Sequence, residues 1–133
     1  MKFPVYNELF NPVLQALHEL GGSGSIYEIV NKVIEQQNFP AEIVDVLHGE
    51  GPGTELEYRL AWARTYLKKY GILENSSRGV WAISNDKIDV KNVNPKEVVD
   101  YVLSLLDKNK DKKSTDNSEV EEDEIEMKHG KMN

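Results

Sequence analysis

The stretch from Thr54 to Ser84, TELEYRLAWARTYLKKYGILENSSRGVWAIS, constrains the fold more than any other. Thr54 and Glu57 form a capping box, in which each side chain satisfies the other residue's otherwise orphaned backbone N–H. Glu55 and Glu57 place negative charge at the positive end of the helix dipole, and Lys68 and Lys69 place positive charge at the other end. Leu56, Leu60, Ala63 and Leu67 recur at helical spacing and define a buried stripe. Gly71 stands where a left-handed terminator is expected. Stepping about 100° per residue from the stripe puts Tyr58, Ala61, Thr65, Lys68 and Lys69 on the far side. Arg64 falls on the flank. Arg59 falls nearer the buried edge, where it can instead tie the helix to the preceding loop.

Residues 72–74 and 80–83 are short runs suited to strands, separated by Asn75, Ser76, Ser77, Arg78 and Gly79. These are turn formers, and Gly79 can adopt the positive φ of a bulged hairpin loop. Period-two alternation sets Val80 and Ala82 on one side and Trp81 and Ile83 on the other. A two-stranded hairpin is marginal alone, so it must pack on helices. A helix leading directly into a basic hairpin is the plan of a winged helix-turn-helix. The expected fold is therefore α+β, mostly helical, with a short β-hairpin wing.

Three helices precede this segment. Leu9, Phe10, Val13, Leu14, Leu17 and Leu20 make one helical face, ended by Gly21 and Gly22. Ser25 and Glu28 form a second capping box, followed by Ile26, Ile29, Val30, Val33 and Ile34 at helical spacing. Pro40 suits a first helical turn, with Ile43, Val44 and Leu47 completing a short third helix. The segment HGEGPG at 48–53 is a loop that positions the basic helix. After the wing, Asn94, Pro95 and Glu97 open a last helix carrying Val98, Val99, Val102, Leu103, Leu105 and Leu106. That apolar band is broad; it either packs back on the first helix or meets a partner. The expected division is one domain at 1–107, with its core at 3–86 and the extra helix at 94–107. Residues 108–133, rich in Lys, Asp and Glu and without aromatics, are expected to be a disordered acidic tail.

Charge sets a limit on partners. Residues 1–107 hold ten Lys or Arg against fifteen Asp or Glu, and the remainder holds six against eight, giving −5 and −2 and the total of −7. An acidic domain does not attract nucleic acid through its overall field. Between Tyr58 and Trp81, however, Arg59, Arg64, Lys68, Lys69 and Arg78 face a single acid, Glu74. Screening confines fields to about 8–10 Å at ordinary salt, so this local patch can act independently. Within the tail, six of the eight residues from Glu119 to Glu126 are acidic. Such a block either shields the basic patch or is simply solvated.

No catalytic constellation is present. The loop GEGPG resembles a phosphate cradle but lacks the lysine and hydroxyl residue that complete one. His18, His48 and His129 have no second ligand at metal spacing, and the chain has no cysteine, so no metal and no cofactor is assigned. Ser23, Ser25, Ser76 and Ser77 have no histidine–carboxylate pattern to activate them. The amino terminus lacks a signal-peptide run and nothing spans a membrane, which makes a cytoplasmic setting the default. Trp62 and Trp81 are read as packing residues.

Three segments carry a resemblance to a known family. PVYNELFNPVLQAL opens it, RLAWARTYLKKYGIL occupies 59–73, and SRGVW occupies 77–81. From Phe3 to about Asp86 the chain resembles the amino-terminal domain of Mrr-type restriction endonucleases. The resemblance implies a winged-helix module that binds DNA ahead of a separate nuclease domain. Arg59, Trp62, Arg64, Lys68, Lys69, Gly71, Arg78, Gly79 and Trp81 match the family pattern or its chemistry. The nuclease domain needs a central sheet with clustered carboxylates and a lysine, and only about 50 residues follow the wing. Glu126, Met127 and Lys128 mimic its carboxylate-x-lysine signature without a strand around them. The chain is thus expected to be a recognition module, free-standing or truncated, and not an enzyme.

On this reading the partner is double-stranded DNA. Arg64, Lys68 and Lys69 are the expected phosphate contacts; Tyr58, Ala61 and Thr65 face base edges; Arg78, with Ser76 and Ser77, forms the wing contact. Arg59 is the marginal member. A homodimer through helix 94–107 and a separate nuclease subunit are the further partners it allows. The alternative is a protein-interaction module on the same scaffold.

Overall fold

A computed structural model describes the backbone of residues 2–112 and the side chains of 2–107. A 3-10 turn at Tyr6–Leu9 leads into α1 (Phe10–Glu19), followed by β1 (Ser23–Ser25), α2 (Ile26–Gln37) and the single turn α3 (Ala41–Val44). Then come α4 (Glu55–Tyr70), β2 (Leu73–Ser77), β3 (Val80–Ile83), a second 3-10 turn (Asn85–Lys87) and α5 (Pro95–Lys112). The strands form one antiparallel sheet in the order β1-β3-β2. The fold is α+β and mostly helical, and its element order is that of a winged helix.

The helix boundaries follow from side-chain chemistry. Ser25 Oγ accepts from the Glu28 N–H at 3.0 Å while Glu28 Oε1 accepts from the Ser25 N–H at 2.9 Å, closing the box that starts α2. Thr54 and Glu57 do the same for α4, at 3.2 and 2.9 Å. Gly71 ends α4 at φ 100°, a conformation that costs an L side chain steric strain. Asn94 Oδ1 accepts from the N–H groups of Lys96 and Glu97 and so starts α5.

One core unites these elements. Phe10, Val13, Leu14 and Leu17 of α1 meet Ile29 and Val33 of α2, and Leu56, Leu60, Ala63 and Leu67 of α4 close over them. The sheet adds Leu73, Trp81 and Ile83, in the alternation expected of β3. Val98 and Val102 bury the inner side of α5. That helix packs chiefly on α4 and the first 3-10 turn. It also runs five residues past the boundary expected at 107, to Lys112. The rest of the expected tail, 113–133, lies outside the described residues.

Three local expectations are corrected. The third helix stops at Val44, with Pro40 as its N-cap, and Leu47 is 60 % exposed in an isolated bridge to Thr54. The hairpin loop is shorter than expected, because β2 runs on to Ser77 and the ladder slips between Asn75 and Ser77. This bulge lets the strand absorb Ser76 and leaves only Arg78 and Gly79 at the tip. Finally, β1 was not foreseen: a Ser-Gly-Ser segment carries no β-branched signal. It pairs with β3, and its Gly24 is buried where an added Cβ would lie 3.0 Å from Leu20 Cδ1.

Candidate nucleic-acid interface

The candidate surface consists of α4 and the hairpin that folds back beside it. Trp81 pairs with Asn75 across the ladder, and the Arg64 guanidinium lies 5.5 Å from the Trp81 ring, so the hairpin runs alongside the helix. Lys68 and Lys69 mark the base of this unit and Arg78 its tip, with β2 running between them. Lys69 and Arg78 are exposed and Lys68 is half-buried. Ser76 and Ser77 are exposed beside Arg78. The tip is held rigidly: Gly79 adopts φ 75°, its carbonyl accepts from the Ile26 N–H at 3.1 Å, and Asn75 Nδ2 donates to the Val80 carbonyl at 2.9 Å.

The helical wheel misplaces three residues. Ala61 and Thr65, expected on the far side, are 1 % and 6 % exposed, and Arg64, expected on the flank, is 1 % exposed. A wheel assumes one buried side, whereas α4 is contacted by α1, α3, α5, β2 and the first 3-10 turn. Arg64 is the guanidinium over Trp81, a cation–π arrangement rather than a solvent-facing charge. Tyr58 is half-buried and stacks on His48 with centroids 3.9 Å apart. Trp62 is half-buried too, with edge contacts to Tyr58 and Tyr66, while Trp81 is in the core.

Arg59 is committed to the scaffold. Its Nε donates to Glu55 Oε2 at 2.7 Å, its Nη1 donates to the Pro4 carbonyl at 2.9 Å, and its guanidinium lies 4.7 Å from the Phe3 ring. It therefore ties α4 to the amino-terminal segment. The tie to the preceding loop is made one turn earlier, where His48 Nδ1 lies 2.7 Å from Glu55 Oε1. Burial acts to raise the Glu55 carboxyl, but the hydrogen bonds to His48 and Arg59 and the Arg59 charge outweigh it, and the group titrates below its ordinary value. Sequence reading foresaw a tie by Arg59 but not its partners; the signals were its position near the buried edge and the Glu55–Arg59 spacing of four. The 48–53 loop closes on itself, with the His48 N–H donating to the Gly53 carbonyl at 3.0 Å.

The surface is electrically divided. Glu42, Asp45, Glu50 and Glu57 are exposed around the start of α4, whereas Lys69 and Arg78 are exposed at its other end and at the hairpin tip; Lys2, Lys91 and Lys96 are exposed elsewhere. Among the described residues, no group of three or more His, Cys, Asp or Glu is placed to hold a metal ion. No helix of these residues is long and apolar enough to cross a membrane.

A capped helix followed by an antiparallel hairpin, with cations at the helix end and hairpin tip, belongs to the winged-helix class of modules. The chain matches the family model of the Mrr N-terminal domain over residues 6–92. It belongs to that family. No curated protein and no solved structure matches it.

Proposed function

We propose that this chain is a double-stranded-DNA-binding module of an Mrr-type restriction system, gripping phosphates with Lys68, Lys69 and Arg78. What chiefly supports this is the exposure of Lys69 and Arg78 at the two ends of a rigid helix–hairpin unit in a chain of this family. Phosphate contact needs positive charge at backbone spacing, and the Ser76 and Ser77 hydroxyls add neutral donors beside Arg78. The acids around the start of α4 repel phosphate, so the duplex meets the carboxyl-terminal half of the helix. Tyr58, in the first turn of α4 and stacked on His48, lies away from that half of the helix, and Ala61, Arg64 and Thr65 come into reach only if their covering opens. Cleavage in such a system belongs to a nuclease domain or subunit distinct from this module.

Fluorescence anisotropy on a mixed-sequence duplex tests the reading. Three phosphate contacts imply a salt slope near −2.7, so affinity falls about 40-fold between about 50 and 200 mM salt. Lys68→Glu with Lys69→Glu weakens binding several-fold on any sequence; unchanged affinity at low salt would remove the proposed surface.

A second reading has its own observation. Leu103 and Leu106 are 47 % and 48 % exposed on α5, leaving part of its apolar band uncovered. On this reading the module assembles with another protein chain, or with its own copy, through α5.

A further inference from the structure

We propose that the loop joining α3 to α4 is a docking surface for a protein partner, and that it takes a segment in which an apolar side chain is flanked by lysine or arginine. The docking stands apart from the DNA-binding reading and does not need it.

An apolar pair is turned outward on this loop. Val46 is 40 % and Leu47 60 % exposed, and among the described residues they are the one adjacent pair of exposed large hydrophobics. Single apolar residues are ordinary at a surface, whereas contiguous ones mark sites of interaction. The backbone holds the pair in place. The Glu55 N–H donates to the Val46 carbonyl at 2.8 Å, Leu47 bridges Thr54, and the His48 N–H donates to the Gly53 carbonyl at 3.0 Å. The His48 ring in turn stacks on Tyr58, with Nδ1 2.7 Å from Glu55 Oε1. Turning Val46 and Leu47 inward would break these bonds at the start of α4. A surface already held in one conformation loses little entropy when it is covered.

Charge selects the occupant. Residues 33–58 hold six Asp or Glu and no Lys or Arg, while the rest of 1–107 is near balance at nine against ten. Of the six, Glu42, Asp45, Glu50 and Glu57 are exposed. Cations from outside the stretch do not offset them. Lys32 is engaged by Glu35, Arg59 by Glu55 and the Pro4 carbonyl, and the exposed Lys2 on the amino-terminal segment is outnumbered. An apolar centre inside a charged rim is the anatomy of a protein interface, and an acidic rim steers cationic chains toward it and turns acidic ones away. The acids that keep duplex from the start of α4 thus favour a basic partner there, and the surface stays open when the other end of the helix is occupied.

The probe is a synthetic peptide, Lys-Lys-Leu-Leu-Lys-Lys, titrated into the isotope-labelled full chain at about 50 mM salt, where screening leaves surface charges their reach. Amide shifts should centre on residues 45–48 and 54–58. A peptide with serines in place of the leucines should bind at least about fivefold more weakly, because it buries no apolar side chain. One with glutamates in place of the lysines should not bind. Leu47→Ser, at a position already 60 % exposed, should leave the rest of the spectrum unchanged. It should bring the leucine peptide down to the level of the serine peptide without altering the serine peptide's own affinity, a pairwise coupling that a diffuse field cannot produce. Equal losses for the two peptides, or shifts confined to the acidic run at 119–126, overturn the docking surface. Shifts at 45–58 that grow with protein concentration in the absence of peptide assign the surface to a second copy of the chain and overturn the foreign partner.

Discussion

Glu55 joins three parts of the chain through one carboxylate. His48 reaches it across seven residues and Arg59 across four, and Arg59 continues to the Pro4 carbonyl 55 residues away. With a side chain only 20 % exposed, this carboxylate works in partial shelter from water. Its pKa in the folded chain lies below the ordinary 4.5, so its stabilising effect is present above that value and is lost as pH falls through the folded one. Glu55→Gln should cost about 1–2 kcal/mol at pH 7, and the gap to the parent should narrow as pH falls below 4.5. Urea unfolding across that range checks this; a gap that does not change with pH would show that packing, not charge, is responsible. No sequence pattern announces such a network, because its partners are distant along the chain and meet only after folding. Arg59 read as the marginal DNA contact, near the buried edge of the wheel and able to tie the helix to the preceding loop; its tie runs instead to the amino-terminal segment.

Elements were legible where local chemistry alone decides them. The capping boxes at Ser25 and Thr54, the terminator at Gly71 and the alternation along β3 all depend on residues within one turn or one strand. What was hidden depends on neighbours. β1 exists by pairing with β3, far along the chain, and the covered positions of α4 reflect elements on several of its sides. The Gly71 position isolates one backbone term, since a Cβ there meets nothing within 4 Å. Gly71→Ala should therefore act through its φ of 100° alone, destabilising by about 1–2 kcal/mol. Thermal melting should show a fall of about 4–8 °C per kcal/mol, with Gly71→Asn milder because Asn tolerates left-handed geometry better. Equal losses for the two substitutions would point to something other than backbone strain.

At the scale of the whole molecule, a family member with a net charge of −7 exposes Lys69 and Arg78 at one helix end and one hairpin tip, away from the acids around the start of α4. The division was legible as a cluster in the sequence; which cations remain at the surface was not, because Arg59 and Arg64 are drawn into the scaffold. The broad apolar band of α5 was legible as well, and its two ways of being covered were left open. Val98 and Val102 now lie against the domain, and Leu103 and Leu106 do not. If the second reading holds, Leu103→Lys with Leu106→Lys converts a dimer into a monomer in sedimentation equilibrium, leaving the fold unchanged by circular dichroism. A monomeric parent chain at tens of micromolar would remove homodimerisation. The bulge at Ser76 bears on where such assembly could occur. β2 is an edge of the sheet, and Glu74 and the displaced ladder interrupt the row of donors and acceptors that another strand would need. The opposite edge, β1, is only three residues long. The sheet is thereby poorly suited to growth by strand addition, and self-association is steered away from amyloid-like stacking toward contacts between helix faces.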